Sequence, residues 1–321
     1  MWNRWFRRPS RLNSQLILKA LPWGYLAVAF LSYWGIMKIV LSKTMGYCNG
    51  VSRALDLAEQ AIEEAKGREL PVYSLGKLIH NRQVCEHFRD EGLEEIAHPE
   101  GHDTGVVILR AHGIPDRLRS EFVDAGFTLI DATCSVVKRN LRLIAKYSKT
   151  HSILVVGHKG HPESIAMQGV MVEGSVCPSI LLCTVEDVRA LPKGRSYAVF
   201  VQTTFDQQLW TEIRSALVER TQTGSEMFFV NEICPNSINR RQAVIELAEQ
   251  CDAVVVIGGK ESANTRALYT LALEMGKPAW HIEDASHVVP EMYEYATLGV
   301  TAGASTPSSL IDEVVQRLQQ E

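Results

Sequence analysis

Three of the seven cysteines occupy the same kind of place in the chain. Cys48 follows KIVLSKTMGY, Cys134 follows LIDAT and Cys234 follows MFFVNEI, and a helical pattern begins soon after each. A thiolate is a soft ligand suited to zinc and to iron–sulfur centres. A structural zinc site takes four protein ligands and is closed. Iron–sulfur clusters also take four cysteines as a rule. Three cysteines on a four-iron cluster would leave one iron free for a substrate. The remaining thiols, Cys85, Cys177, Cys183 and Cys251, share no such position and read as small apolar side chains.

Polar residues recur at matching points. VYSLGKLIHNRQV carries His80, ILVVGHKGHPESI carries His161 and Glu163, and AVVVIGGKESANTRAL carries Ser262 and Asn264. Each lies where an apolar run gives way to a glycine turn and then a helix. Free amides and the helix dipole at such a turn favour an anion. A second set closes the apolar runs VVILRAHG, AVFVQTT and LGVTAGAS at His112, at Gln202–Thr203 and at Ser305. The carboxyl ends of strands are where open parallel sheets bind ligands. An anion such as phosphate suits the histidines and hydroxyls, and Glu163 is a candidate proton source. His158 lies one turn from His161 and stays open. His87, His98, His102, His151, His281 and His287 read as surface or capping residues.

The elements that must position these residues follow from periodicity. Lys38–Leu41 and Phe228–Val230 are short continuous apolar runs of the kind found in parallel sheets buried on both faces. Val51–Ala65 and Asn239–Gln250 have apolar residues three and four apart, the helical period. One unit of strand, cysteine and helix therefore occurs three times, and repeats of this kind set the fold. The expected fold is α/β, with three similar modules; packed around a pseudo-threefold axis, they would bring the cysteines and the polar strand ends together. Residues 50–133, 134–231 and 232–321 make the modules. Residues 37–49, with the first strand and Cys48, are expected to pack with the third.

Composition agrees with a globular protein. The 321 residues are 46% hydrophobic and 22% charged. The net charge of −4 and the lack of a basic motif exclude nucleic acid as a partner. Scattered cysteines, odd in number, fit a reducing, cytoplasmic setting. Residues 1–36 stand apart, with five basic residues, no acidic one, and a mostly apolar stretch over 21–37. They read as an anchor, a targeting segment or an upstream extension outside the core. Met37 then marks the start of the core, for which no membrane is expected.

Together these segments resemble the LytB-type 4-hydroxy-3-methylbut-2-enyl diphosphate reductase family. The matching stretches are MKIVLSKTMGYCNGVSRA, GKLIHN, RAHG, DATCSVVKR, GHKGHPES, VQTT, EICPNSINRRQ, GGKESANTRAL and GVTAGAS. The resemblance implies that the three α/β modules form a pseudo-threefold trefoil around a central iron–sulfur cluster, one [4Fe–4S] per chain, ligated by Cys48, Cys134 and Cys234 with one iron open. It implies that His80, His112, Ser262, Asn264 and Ser305 hold the diphosphate. His161, Thr203 and Glu163 would sit near the substrate hydroxyl. It implies an allylic diphosphate substrate, reductive loss of its hydroxyl to give isopentenyl and dimethylallyl diphosphate, and a ferredoxin- or flavodoxin-type electron donor. Two departures are visible. Ala263 stands where many relatives have serine. Pro235–Ile238 differs from commoner variants, although Asn239 and Arg240 fit. From the residues alone, a non-redox iron–sulfur dehydratase and a redox sensor or metal-stabilised scaffold remain open.

Overall fold

In the computed structural model, which describes residues 37–222 and 224–320, the chain opens on β1 (Lys38–Leu41). The segment 1–36 and its anchor, targeting and extension readings lie outside the described residues. There follow α1 (Asn49–Lys66), β2 (Val72–Leu75), α2 (Arg82–Asp90), β3 (Leu93–Ile96), β4 (Val106–Leu109), α3 (Asp116–Asp124) and β5 (Thr128–Asp131). Next come α4 (Ser135–Tyr147), β6 (Ser152–Val156), α5 (Pro162–Gln168), the short pair β7 (Met171–Val172) and β8 (Ser175–Val176), and β9 (Ser179–Leu182). The chain continues through α6 (Val185–Arg189), β10 (Ser196–Val201), α7 (Gln207–Thr221) and β11 (Glu226–Phe229). The last stretch is α8 (Pro235–Gln250), β12 (Ala253–Ile257), α9 (Ala263–Glu274), β13 (Ala279–Ile282), β14 (Thr297–Ala302) and α10 (Ser308–Leu318).

The strands form three parallel four-stranded sheets with one order: β3-β2-β4-β5, β9-β6-β10-β11 and β13-β12-β14-β1. Three α/β modules of one topology result. Strand β1, from the start of the core, takes in the third sheet the edge that β5 and β11 take in the other two. Its residues pair with β14 from Lys38↔Thr297 to Leu41↔Val300.

Continuous apolar strands form here because each sheet is covered on both faces. Successive strand residues point to opposite sides. In β10, Tyr197, Val199 and Val201 pack into one core with Trp210 and Ile213 of α7, while Ala198 and Phe200 pack with Ile144 of α4 on the other side. In β12, Ala253, Val255 and Ile257 face Leu310 and Val314 of α10, and Val254 and Val256 face Val244 and Leu247 of α8. In the first module Ile108 meets Ala54 and Ala58 of α1, and Val107 and Leu109 meet Phe122 of α3. Burying a side chain of this size is worth about 1.5–3 kcal/mol. A charge on either face of a central strand would therefore be strongly destabilising.

Helix α8 starts at Pro235, four residues before the apolar period becomes readable at Asn239. The reason is local. Proline is tolerated in the first turn, where its missing N–H would have no partner in any case. The first turn also carries polar residues that break the periodic pattern. His281, read as a surface or capping residue, is instead a half-buried member of β13, with Nε2 2.9 Å from the carbonyl oxygen of Gly258.

Candidate active site

Each of the three cysteines is the residue that caps a helix: Cys48 for α1, Cys134 for α4 and Cys234 for α8. None of the three sulfurs makes a capping hydrogen bond. Their backbones are held in one way. The amide of Cys134 donates to Ala111 O at 2.9 Å, that of Cys234 to Thr203 O at 2.9 Å and that of Cys48 to Ala304 O at 3.3 Å. Those carbonyls lie at or beside the polar ends of the neighbouring strands, next to His112, at Thr203 itself and next to Ser305. An edge strand parallel to a central strand thus carries a thiol and a polar side chain to the same end of each sheet.

The sulfurs have a cradle with no room to spare. A Cβ at Gly50 would stand 2.9 Å from Cys134 Sγ and 3.8 Å from Cys48 Sγ, so a glycine at this point keeps the space between two thiols clear. Burial raises the Cys134 thiol above its ordinary pKa. The amides of Val136 and Val137 act against that, and charge on Cys48 and Cys234 adds to it. Three thiolates there repel one another, so they call for a cationic centre. A metal removes thiol protons outright. Among the described residues, the group of side chains tight enough to share a single ion is His80, His112 and His161, with ligand atoms within 4.8 Å of one another. The three thiols are absent from that set and suit a wider, multi-atom centre. An iron–sulfur cluster fits the soft ligands, the cleared cradle and the three positive helix ends.

The histidines form the second half of the site. Ring centroids are 4.8 Å apart for His80–His112, 5.6 Å for His112–His161 and 6.4 Å for His80–His161. Burial holds all three pKa values below that of free histidine, His161 at about 4, and the nearby guanidinium of Arg110 pushes each further down. Arg266 acts in the same sense on His80 and His161. Neutral rings beside two guanidinium groups favour an anion over a metal ion. The Nδ1 atoms of His80 and His112 are buried with no hydrogen-bond partner.

The other polar residues sit around them in different states. Ser305 Oγ donates to His80 O at 3.2 Å, which ties the third module to the first. A Cβ at Gly259 would come 2.5 Å from that same carbonyl, so the close approach requires glycine. Ser262 caps α9 by accepting from Thr265 N at 3.3 Å, and its own proton stays available to a ligand. Asn264 has a buried, unpartnered Nδ2 and lines a small cleft with Thr204 and Phe205 of the second module. His158 stands apart from the trio, its ring 4.8 Å from that of Phe205 and its amide donating to Gln202 Oε1 at 3.0 Å.

Glu163 is the buried acid of the site, 1% exposed. Thr203 N donates to Glu163 Oε1 at 2.9 Å and Thr203 Oγ1 donates to Oε2 at 2.7 Å. Burial raises its pKa to about 7, and the two bonds from Thr203 moderate the rise. Glu163 N in turn donates to His161 Nδ1 at 3.1 Å, so the imidazole fixes the backbone of the residue whose carboxyl meets Thr203. A carboxyl with a pKa near 7 is matched to proton delivery at neutral pH.

The LytB protein family model matches residues 39–319. This chain belongs to the LytB family. It is 36% identical over 293 residues to the 4-hydroxy-3-methylbut-2-enyl diphosphate reductase of Treponema denticola, covering 88% of this chain and 99% of that protein. It is 34% identical to the enzyme of the same name from Thermotoga maritima, covering 88% and 97%. A solved (E)-4-hydroxy-3-methyl-but-2-enyl diphosphate reductase, the terminal enzyme of the non-mevalonate pathway, superposes with a TM-score of 0.67 and 32% identity, covering 89% of this chain and all of that one. The reductase of Plasmodium falciparum superposes with a TM-score of 0.78 at 25% identity, covering 87% of each chain. Among the described residues no helix is long and apolar enough to cross a membrane.

Reading the sequence as a set of recurring turns misses Arg110, Arg266 and Arg240. The first two leave no periodic signal. Arg240 leaves one: it shares the buried stripe of α8 with Ala243, Val244 and Leu247, where an arginine is out of place.

Proposed function

We propose that this LytB-family chain reduces (E)-4-hydroxy-3-methylbut-2-enyl diphosphate to isopentenyl and dimethylallyl diphosphate, the last step of the non-mevalonate route to isoprenoid precursors. Cys48, Cys134 and Cys234 would hold one [4Fe–4S] cluster. When bound, the cluster supplies electrons and an open iron with Lewis acidity toward the substrate oxygen. The balance is two electrons and two protons in, with one C–O bond broken, one C–H bond formed and one water released. The electrons come from a ferredoxin- or flavodoxin-type donor. What carries this reading is the threefold recurrence of one bond, from a cysteine amide to the carbonyl at a polar strand end. With it, soft ligands and candidate anion-binding residues would share one end of each sheet.

The chain's own groups divide the work. His80, His112, Ser262, Asn264 and Ser305 orient the diphosphate, and orientation alone can supply several kcal/mol of a barrier. The bound anion raises the proton affinity of the neutral rings, which strengthens its own hold. Burial raises the Glu163 pKa to about 7, so a protonated form is populated at neutral pH; in that form the bond to Thr203 reverses, the carboxyl O–H donating to Thr203 Oγ1, which hands its own proton toward the leaving hydroxyl, so water departs instead of hydroxide. His161 fixes the turn that presents Glu163 by accepting its amide proton.

The test is an anaerobic assay of reconstituted protein with and without an electron donor, beside analysis for iron and sulfide. Turnover that depends on the donor is expected. Turnover without reductant would make the chain a dehydratase. Protein that takes up no iron would overturn the cluster.

A further inference from the structure

Arg240 lies six residues past Cys234 in α8 and is 2% exposed. Among the described residues it is the one fully buried lysine or arginine. Its Nε and Nη1 atoms are out of contact with water and make no hydrogen bond. A guanidinium keeps its charge in proteins, and a buried charge without a partner is costly. Burial does act against the charge at Arg240, and the groups that act in its favour are Cys48 and Cys234, from two different modules. Among the described residues no carboxylate shares that role. The guanidinium thus sits in electrostatic reach of two of the three thiols, with the N–H donors of Nε and Nη1 unspent. Its place on the apolar stripe of α8, at three, four and seven residues from Ala243, Val244 and Leu247, holds it there.

We propose that Arg240 is the countercharge of the three-thiol centre, offsetting the negative charge of the assembled cluster and holding its reduction potential high enough for the donor. The proposal rests on the cluster reading above. Each electron passed from the ferredoxin- or flavodoxin-type donor oxidises the donor and makes the centre one unit more negative. A fixed positive charge nearby favours that reduced form. Donors aimed at cluster sulfur and local charge are among the factors that set such potentials. In a poorly polarisable interior the effect of one charge is larger than at the surface.

The experiment compares anaerobically reconstituted wild type, Arg240→Lys and Arg240→Met by iron and sulfide content and by a redox titration followed by electron paramagnetic resonance. Met keeps much of the volume and loses the charge. In Arg240→Met the ratio of reduced to oxidised cluster at a fixed potential is expected to fall at least tenfold, a shift of about 59 mV for one electron. Arg240→Lys is expected to stay within threefold of wild type. An unchanged potential in Arg240→Met, or an equal fall in Arg240→Lys, overturns the countercharge. Iron lost from Arg240→Met and kept by Arg240→Lys supports it, since charge would then be needed to gather the thiolates. Iron lost from both overturns it in favour of packing. Wild-type protein without iron and sulfide sinks the cluster reading and this proposal together, whereas the other outcomes touch Arg240 alone.

Discussion

At Cys48, Cys134 and Cys234 the three modules repeat one arrangement, in which an edge strand ends, a cysteine amide bonds a neighbouring strand-end carbonyl, and a helix begins at the cysteine. At the glycine turns after β2, β6 and β12 one bond also repeats, from the amides of Gly76, Gly157 and Gly258 to Ile96 O, Leu182 O and Ile282 O, but the side chains differ. One turn carries His80, the next His161 with Glu163, the last Ser262 with Asn264. The difference follows from what each set would face. A cluster is nearly symmetric and asks the same ligand of each module. An allylic diphosphate has a charged end and a reacting end, so the turns around it must differ. Repetition built the scaffold, and divergence at three turns gave it polarity.

The largest effect should come from breaking the symmetric set. Cys134→Ser is expected to lose iron and activity together, because oxygen is a poor substitute for thiolate in a cluster. Cys85→Ser and Cys251→Ser should keep both. Cys85 spends its sulfur on Ile79 O, and Cys251 is packed beside Leu247. Equal iron loss from Cys85→Ser would undo the choice of three.

Next is the turn that holds the acid. Glu163→Gln keeps shape and the bond from Thr203 N but has no proton of the right acidity to give. Turnover with excess reductant should drop at least a hundredfold, within the usual range of about 10²–10⁴ for a lost general acid. Iron content and substrate binding should hold. In wild type the rate should decline as pH rises through about 7, where Glu163 gives up its proton. A variant with normal turnover, or a wild-type rate indifferent to that range, would remove Glu163 from the proton path.

A smaller pair of effects separates capping from binding. Asn81 caps α2 by accepting from Val84 N, and Ser262 caps α9 by accepting from Thr265 N. Alanine at either should cost about 0.5–2 kcal/mol of stability. Only Ser262→Ala should also raise KM for the diphosphate. A rise for both, or for neither, would show that the Ser262 hydroxyl has no binding role of its own.

The smallest effect is on the stability of cluster-free protein with pH. His161 has a folded pKa of about 4, below its unfolded value. Above about pH 6.5 the ring is neutral in both states and contributes nothing. As pH falls from there, the unfolded chain takes the proton and the folded one does not, so stability drops until about pH 4. His161→Gln should flatten that slope in a denaturant titration series. An unchanged slope would mean that the ring is not held neutral by burial.

Much of this was legible in the chain itself. Continuous apolar strands, helices of period three to four, and cysteines between them announce an α/β repeat because both patterns depend on near neighbours in sequence. The sharp onset of α8 was hidden by Pro235 and the polar first turn, whose residues obey capping rules instead of periodicity. His281 was misjudged because a polar residue near a strand end looks exposed until the carbonyl of Gly258 is seen against it.

Sequence alone determined the types and order of the chemical groups: three soft ligands, a set of histidines and hydroxyls, and one acid behind a proline. Only the tertiary structure decided which of them meet. It drew His80, His112 and His161 within ring contact and set Thr203 on both oxygens of Glu163. It also set the proton affinities, since the acidity of Glu163 and the neutrality of the histidines come from desolvation. That is a property of what surrounds a group in space, and adjacency along the chain does not carry it.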